Sequence, residues 1–323
     1  MKQKEPKAIP VWLVMTGFSC NNNCIMCSTK PKGKTYLDRP TEDVGRDLIE
    51  GKKRGYLRAE LTGGEPTIRP DVLDLIRAAK ELGYREIALS TNARMLSYDS
   101  FCQKAIENGL NRITFTLNAH NAELGDAICR TPGAFKQTLR GIKNALKYPK
   151  VTISANTVLF RLNYQHLPQI GKFISDFGIN TWNILDLIPD GYAKDLYKIL
   201  SVKMIKLSEK INNLKDVIKN FQTVGFFDFP LCLFNSDLRE SPRIGFITAQ
   251  GRVEIEKQIG YKPKRFEKSV DDFYEDIHKQ RTKICRSCKF SQSCGGVWKD
   301  YLDLYGDSEI KFLAKKHKCL NYG

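Results

Sequence analysis

Cys20, Cys24 and Cys27 stand in the string CNNNCIMC. Thiolates at this spacing can hold three corners of a cubic iron–sulfur cluster and leave the fourth iron without a protein ligand. An open iron is what a cluster needs for chemistry, just as an open position separates catalytic from structural zinc sites. Zinc is the competing reading, but CxxxCxxC is an unusual zinc spacing and no fourth ligand lies near. A second run, CRSCKFSQSC, contributes Cys285, Cys288 and Cys294, where a structural zinc knuckle competes with a second iron–sulfur cluster. Cys102, in a helical stretch, and Cys129, in a loop, read as ordinary small apolar residues. His120, His166, His278 and His317 show no ligand spacing, and no HExxH, GxSxG or P-loop string is present.

Residues of this kind need a scaffold, and the chain alternates strand-like and helix-like segments. Strands are expected at VWLVMT, RAELTG, EIALST, RITFTLN, VTISANTVLF and TWNILDLIP. Helices are expected between them, the first over 41–55 with Thr41 as N-cap and Gly55 as stop. Repeated βα units build a parallel sheet, and six in succession predict a partial barrel with its site at the strand C-termini. The pattern changes after about residue 195. A Lys-rich helical stretch, LSVKMIKLSEKINNLKDVIKNF, leads to an aromatic segment, GFFDFPLC. A hairpin is expected in RIGFITAQGRVEIEK, with Gly251 at its turn, before the second cysteine run. The expected class is α/β: a partial (β/α)6 TIM-type barrel over residues 1–200, then a small iron–sulfur cluster domain over 201–323.

The 323 residues suit this division, and 41% hydrophobic with 27% charged content is that of a globular protein. No apolar run approaches the roughly 20 residues that span a bilayer. The N-terminal stretch has no small-residue cleavage site, so a cytoplasmic location is expected, where reduced thiols favour metal binding over disulfides. The net charge of +16 admits an acidic partner, although lysines on solvated helix faces also account for it.

With CNNNCIMC placed directly after the first strand, the chain resembles the radical S-adenosylmethionine (SAM) superfamily over roughly residues 9–195. The resemblance continues in LTGGEP, which implies that Gly63, Gly64 and Glu65 meet the amino group of SAM. Glycines let a backbone approach a ligand, and carbonyls and a carboxylate accept from an ammonium. It also implies SAM contacts at strand ends: Ser90 and Asn92 in LSTN, Asn118 in TFTLNAH, Asn156, and Pro189 in LIPDG. Asn118 stands where relatives often carry Asp. Arg130 matches a basic residue that pairs with the SAM carboxylate, and Met26 takes an aromatic position from which a thioether packs on adenine.

Behind such a barrel, CRSCKFSQSC resembles the SPASM and twitch domains, which hold auxiliary 4Fe-4S clusters. A full SPASM domain has further cysteines where this chain has Trp298 and the stretch Val253 to Glu256, so one auxiliary cluster is expected. Its fourth ligand is Cys232 or Cys319; FDFPLC is the more rigid carrier and favours Cys232. The resemblance implies reductive cleavage of SAM to a 5′-deoxyadenosyl radical that abstracts hydrogen from a substrate, with ferredoxin or flavodoxin as electron donor. The expected substrate is an acidic peptide. A small molecule such as a sugar or nucleotide is the alternative, and RNA is disfavoured because no RNA-binding module is evident. About ten residues precede the first strand, so no fused leader-binding domain is expected.

Overall fold

The computed structural model describes residues 11–29, 38–247 and 279–320. Eight parallel strands form one sheet in chain order: β1 Val11–Met15, β2 Arg58–Thr62, β3 Glu86–Thr91, β4 Arg112–Thr116, β5 Thr152–Leu159, β6 Thr181–Asp186, β7 Thr223–Phe227 and β8 Ile244–Ile247. The order runs β1 to β8 without a β8–β1 pair, so among the described residues the barrel is partial. Helices cover its outer face: α1 Thr41–Lys53, α2 Val72–Glu81, α3 Asp99–Glu107, α4 Ala122–Cys129, α5 Ala134–Leu146 and α6 Leu167–Asp176. The Lys-rich stretch folds as α7, Met204–Asn212, and a single turn, Lys215–Ile218.

The six expected strands are present, and two more follow them. β7 comes from the aromatic segment, and β8 is the first arm of the expected hairpin, paired parallel to β7 through Gly225↔Gly245. The turn at Gly251 and the second arm lie outside the described residues. The sheet thus runs past residue 200, and the small cysteine-bearing unit follows it. That unit pairs β9, Lys279–Gln280, antiparallel with β10, Val297–Trp298, and ends in α8, Lys299–Tyr305, and α9, Ser308–Lys316. Two local expectations change. Thr41 is the first residue inside α1 rather than its cap, and its hydroxyl donates to Asp71 Oδ2 at 2.6 Å. Cys129 closes α4 instead of lying in a loop.

Strand alternation separates the two faces of the sheet. Ala59 and Leu61, Ile113 and Phe115, and Trp182 and Ile184 are fully buried beneath the helices. The positions between them point into the barrel and carry polar groups. Arg58 and Arg112 pair with Glu86 at the N-terminal end. Above them Ser90 donates to Glu60, Thr114 meets Ser154 at 2.9 Å, and Asn183 donates to Asn156 at 2.9 Å. A barrel interior with this lining is built for a polar occupant rather than for a packed core. Among the described residues no helix is long and apolar enough to cross a membrane.

Candidate functional site

At the C-terminal ends of the strands the interior opens into a cavity of about 350 Å³. Its wall includes Cys20, Cys24, Met26, Cys27, Gly63, Gly64, Glu65, Ser90, Asn92, Asn118 and Asn156. Residues spread over more than 130 positions of sequence are brought to one place because the C-terminal ends of β2 to β6 converge on the same rim. Two expected members are not on that wall. Arg130 sits in left-handed backbone after α4, where its Nε donates to Asn23 O at 2.6 Å and its guanidinium lies 4.8 Å over Tyr192. Pro189 is buried beside Ile188, which does line the cavity.

The cysteine loop is clamped by backbone on three sides. Gly64 N donates to Gly17 O at 2.9 Å and Glu65 N to Ser19 O at 2.8 Å. Asn23 N and Ile25 N donate to the carbonyls of Cys129 and Ile128, both at 3.0 Å, and Tyr192 N donates to Cys27 O at 3.0 Å. Gly64 earns its identity at this crossing, since a Cβ there would stand 2.2 Å from Ser19 O. The close approach is thus to the backbone that carries Cys20. Gly64→Ala is expected to push that backbone aside and destabilise the fold by about 1–3 kcal/mol, with poorer iron retention. Gly45→Ala, on an open face of α1, should be neutral or slightly stabilising. Thermal unfolding and iron content after reconstitution check both.

Glu65 is held more tightly by the protein than its motif suggests. Its Oε1 accepts from Thr67 N (3.0 Å), Thr67 Oγ1 (2.6 Å) and Thr91 Oγ1 (2.7 Å), and Oε2 accepts from Asn92 N (2.7 Å). Burial pushes its carboxyl above the ordinary value, and these four donors oppose that shift. Glu65 therefore ties the end of β2 to the end of β3. Asn118 is likewise engaged, accepting from Val158 N at 2.8 Å. Asn92 reaches the thiols directly, its Nδ2 lying 2.7 Å from Asn21 Oδ1 and 3.9 Å from Cys20 Sγ.

Sequence reasoning missed one wall residue that carries chemistry. Cys129 lines the same cavity and accepts from Asn22 Nδ2 at 3.7 Å; a hydrogen bond with Cys24 is the largest cause holding its thiol below the ordinary value. Asp186, the last residue of β6, also borders the cavity, but strand alternation turns its carboxyl to the outer face of the sheet, against Trp298. The sequence signal was a cysteine beside Arg130, common enough to pass unnoticed.

The second cysteine group forms a site of its own. Cys232, Cys285, Cys288 and Cys294 line one largely enclosed cavity, with Leu231, Ile284, Val297, Ile310 and Ala314 around them. Leu231 N and Gly296 N donate to Cys294 Sγ at 3.4 and 3.5 Å. Burial, then the neighbouring thiols, pushes the Cys232 thiol well above its ordinary value, which a bound cation would reverse. Cys319 is buried but lies off this wall, its sulfur accepting from Arg239 Nη1 at 3.5 Å. Backbone N–H groups aimed at sulfur and an apolar surround suit an iron–sulfur cluster on four thiolates.

A partial parallel barrel with three cysteines after its first strand and a cavity at its strand C-termini defines a class. Residues 14–174 match the radical SAM superfamily, and the chain belongs to it. Among curated relatives, a Sulfurisphaera tokodaii protein named "Probable GTP 3′,8-cyclase" is 28% identical over 200 residues, covering 62% of this chain and 60% of that one. A Saccharolobus islandicus protein of the same name is 31% identical over 180 residues, covering 55% and 57%. The chain thus spans about 60% of the length of the curated relatives it matches. The fold resembles Streptococcus suis SuiB bound to precursor peptide SuiA, with TM-score 0.59, 18% identity, and 89% and 71% coverage. It also resembles anSMEcpe with bound AdoMet and Kp18Cys peptide, with TM-score 0.62, 15% identity, and 94% and 96% coverage.

Proposed function

We propose that this chain is a radical SAM enzyme acting on a small molecule of the nucleotide class. The observation that carries the catalytic reading is the single cavity that joins Cys20, Cys24 and Cys27 to the LTGGEP loop and the polar strand ends. In this reading the three thiolates hold a 4Fe-4S cluster, and SAM lies along Gly63, Gly64, Ser90, Asn92, Asn118 and Asn156, with Met26 packed on its adenine. When bound, a cluster of this kind with SAM at its open iron supplies reductive cleavage to a 5′-deoxyadenosyl radical. The chain's own work is to orient the bound molecules, exclude water and hold the loop rigid. Glu65 acts by fixing the loop, and Arg130 by holding Asn23 and Tyr192 in place beside it. An auxiliary 4Fe-4S cluster is assigned to Cys232, Cys285, Cys288 and Cys294 in a SPASM/twitch-like unit, and a ferredoxin or flavodoxin is the proposed electron donor.

The nucleotide substrate is supported by the relatives named as GTP 3′,8-cyclases. Peptide oxidation is the second reading, favoured by the four-thiol cavity: a cluster with four protein ligands has no iron left to grip a substrate and serves as an electron acceptor instead. The experiment is anaerobic turnover of the reconstituted full chain with dithionite and SAM, with and without each nucleoside triphosphate. Nucleotide-stimulated 5′-deoxyadenosine and a modified nucleotide are expected. No response to any nucleotide, with stimulation by a peptide, overturns the substrate; S-adenosylhomocysteine as the main product overturns the reaction class.

A further inference from the structure

The helices around the barrel differ in how they dress their solvent faces. α1 pairs Arg46 with Asp43 and Arg54 with Glu50, α2 pairs Arg77 with Asp74, and α6 pairs Lys172 with Asp176. α5 carries no acidic side chain, alone among the described helices of eight or more residues. Its Lys136, Arg140 and Lys143 lie within about 60° of one another around the helix axis, and Lys147, just past its end, continues the row. All four are exposed. Among the described residues Lys136, Arg140 and Lys143 make no ion pair, and the acids at the two ends of the row are engaged. Asp126 accepts from Gly133 N and Phe135 N at 2.6 and 2.8 Å, and Asp99 holds Lys147 at 2.8 Å. Like charges at i, i+3 and i, i+4 repel, so the row weakens its own helix, and a partner of opposite sign relieves that repulsion.

The second observation is what the row abuts. Arg94 Nε donates to Gln137 Oε1 at 2.6 Å, and its Nη1 donates to Asn21 O and, at 2.8 Å, to Asn22 Oδ1. Thr138 Oγ1 donates at 2.9 Å to the carbonyl of Asn92, whose Nδ2 lies 3.9 Å from Cys20 Sγ. The N-terminal half of α5 is therefore one side chain away from the loop that carries Cys20 and Cys24. Arg94 and Arg130, both on carbonyls of that loop, add two guanidiniums at the head of the row. Asn23, exposed and directly before Cys24, brings solvent to within one residue of a thiol.

We propose that this basic row, with the Asn21–Asn23 loop at its head, is the docking surface for the reductant of the cysteine site: a small acidic protein that carries one electron. Charge complementarity selects that partner, because a row of unpaired cations steers and orients an acidic protein and does nothing for a neutral one. One electron leaves the reduced carrier and passes to the group held by Cys20, Cys24 and Cys27. The carrier is oxidised by one electron, that group is reduced by one, and no bond is made or broken. The inference rests on the reading of that cavity proposed above.

The test compares two reductants on the reconstituted full chain: dithionite, and flavodoxin held reduced by its reductase and NADPH. Lys136→Glu/Arg140→Glu/Lys143→Glu reverses exposed charges outside both cysteine sites. This variant should keep its iron and its dithionite-driven 5′-deoxyadenosine formation. At low salt it should lose about 10-fold or more of the flavodoxin-driven rate and bind flavodoxin about 10-fold or more weakly. Raising salt from about 0.05 to about 0.5 M should slow the flavodoxin-driven wild type and leave the variant nearly unchanged. Arg46→Glu/Lys53→Glu/Arg77→Glu, with the same change of net charge on α1 and α2, should behave as wild type. Equal flavodoxin rates and affinities in wild type and the α5 variant overturn the inference. An equal loss in the α1–α2 variant, or no binding of flavodoxin to wild type at low salt, does the same. RNA held by the row, with the flavodoxin-driven rate unaltered by the reversal, also overturns it and makes the row a nucleic-acid surface. Wild type that holds iron but cleaves no SAM with dithionite overturns the reading of the cavity, and the affinity for flavodoxin then decides the surface on its own.

Discussion

Replacing Cys20, Cys24 and Cys27 together with alanine is expected to lower the iron of anaerobically reconstituted protein from about eight to about four per chain, and to abolish 5′-deoxyadenosine formation. The three thiols have no substitute in the first cavity except Cys129, and one thiol cannot hold a cluster. The fold should survive, because the loop is held by backbone bonds from Gly64, Glu65 and Tyr192 to carbonyls rather than by the sulfurs. Iron analysis, Mössbauer spectra and product chromatography read the result. Four irons remaining with SAM cleavage intact would place the SAM chemistry elsewhere.

The second large effect separates Cys232 from Cys319. Cys232→Ala is expected to make the auxiliary cluster labile, taking iron from about eight toward about four while leaving SAM cleavage by the first site. Cys232 shares a cavity with Cys285, Cys288 and Cys294, and the 3.4 Å hydrogen bond from Leu231 N to Cys294 Sγ binds its segment to theirs. Cys319→Ala should retain both clusters and cost only about 1–2 kcal/mol of stability for a buried thiol against Arg239. Loss of the cluster in Cys319→Ala but not in Cys232→Ala would exchange their roles. Zinc in place of iron at this site would remove the auxiliary cluster altogether.

Much of the site was legible because its signals are local. CNNNCIMC declares three ligands within eight residues, and LTGGEP follows one βα unit later. Strand and helix periods are also local, so the six βα units could be read one by one. β7 escaped because Thr223–Phe227 is a short aromatic run with no long helix after it, whereas Ile244–Ile247 was expected as the arm of a hairpin and only its parallel place in the main sheet escaped. What makes them strands is the β6 edge, which each extends in turn. Arg130 shows the converse, a residue recognised by its motif whose side chain the fold directs to Asn23 and Tyr192.

By itself the sequence determined the chemistry on offer: a three-thiol loop after the first strand, a glycine–glutamate turn after the second, and further cysteines near the C-terminus. Ligand type and short spacing are covalent properties, present before any folding. Only the tertiary structure decided which distant groups join them. It set Cys232 rather than Cys319 on the wall with Cys285, Cys288 and Cys294, and it placed Cys129 beside Cys24. It also buried Asp186, Asp228 and Lys279 together, from positions up to 93 residues apart. The physical reason is that a carboxyl's proton affinity and a thiol's neighbours depend on burial and through-space distance. Both are set by where strands and loops converge, and residue spacing along the chain carries neither.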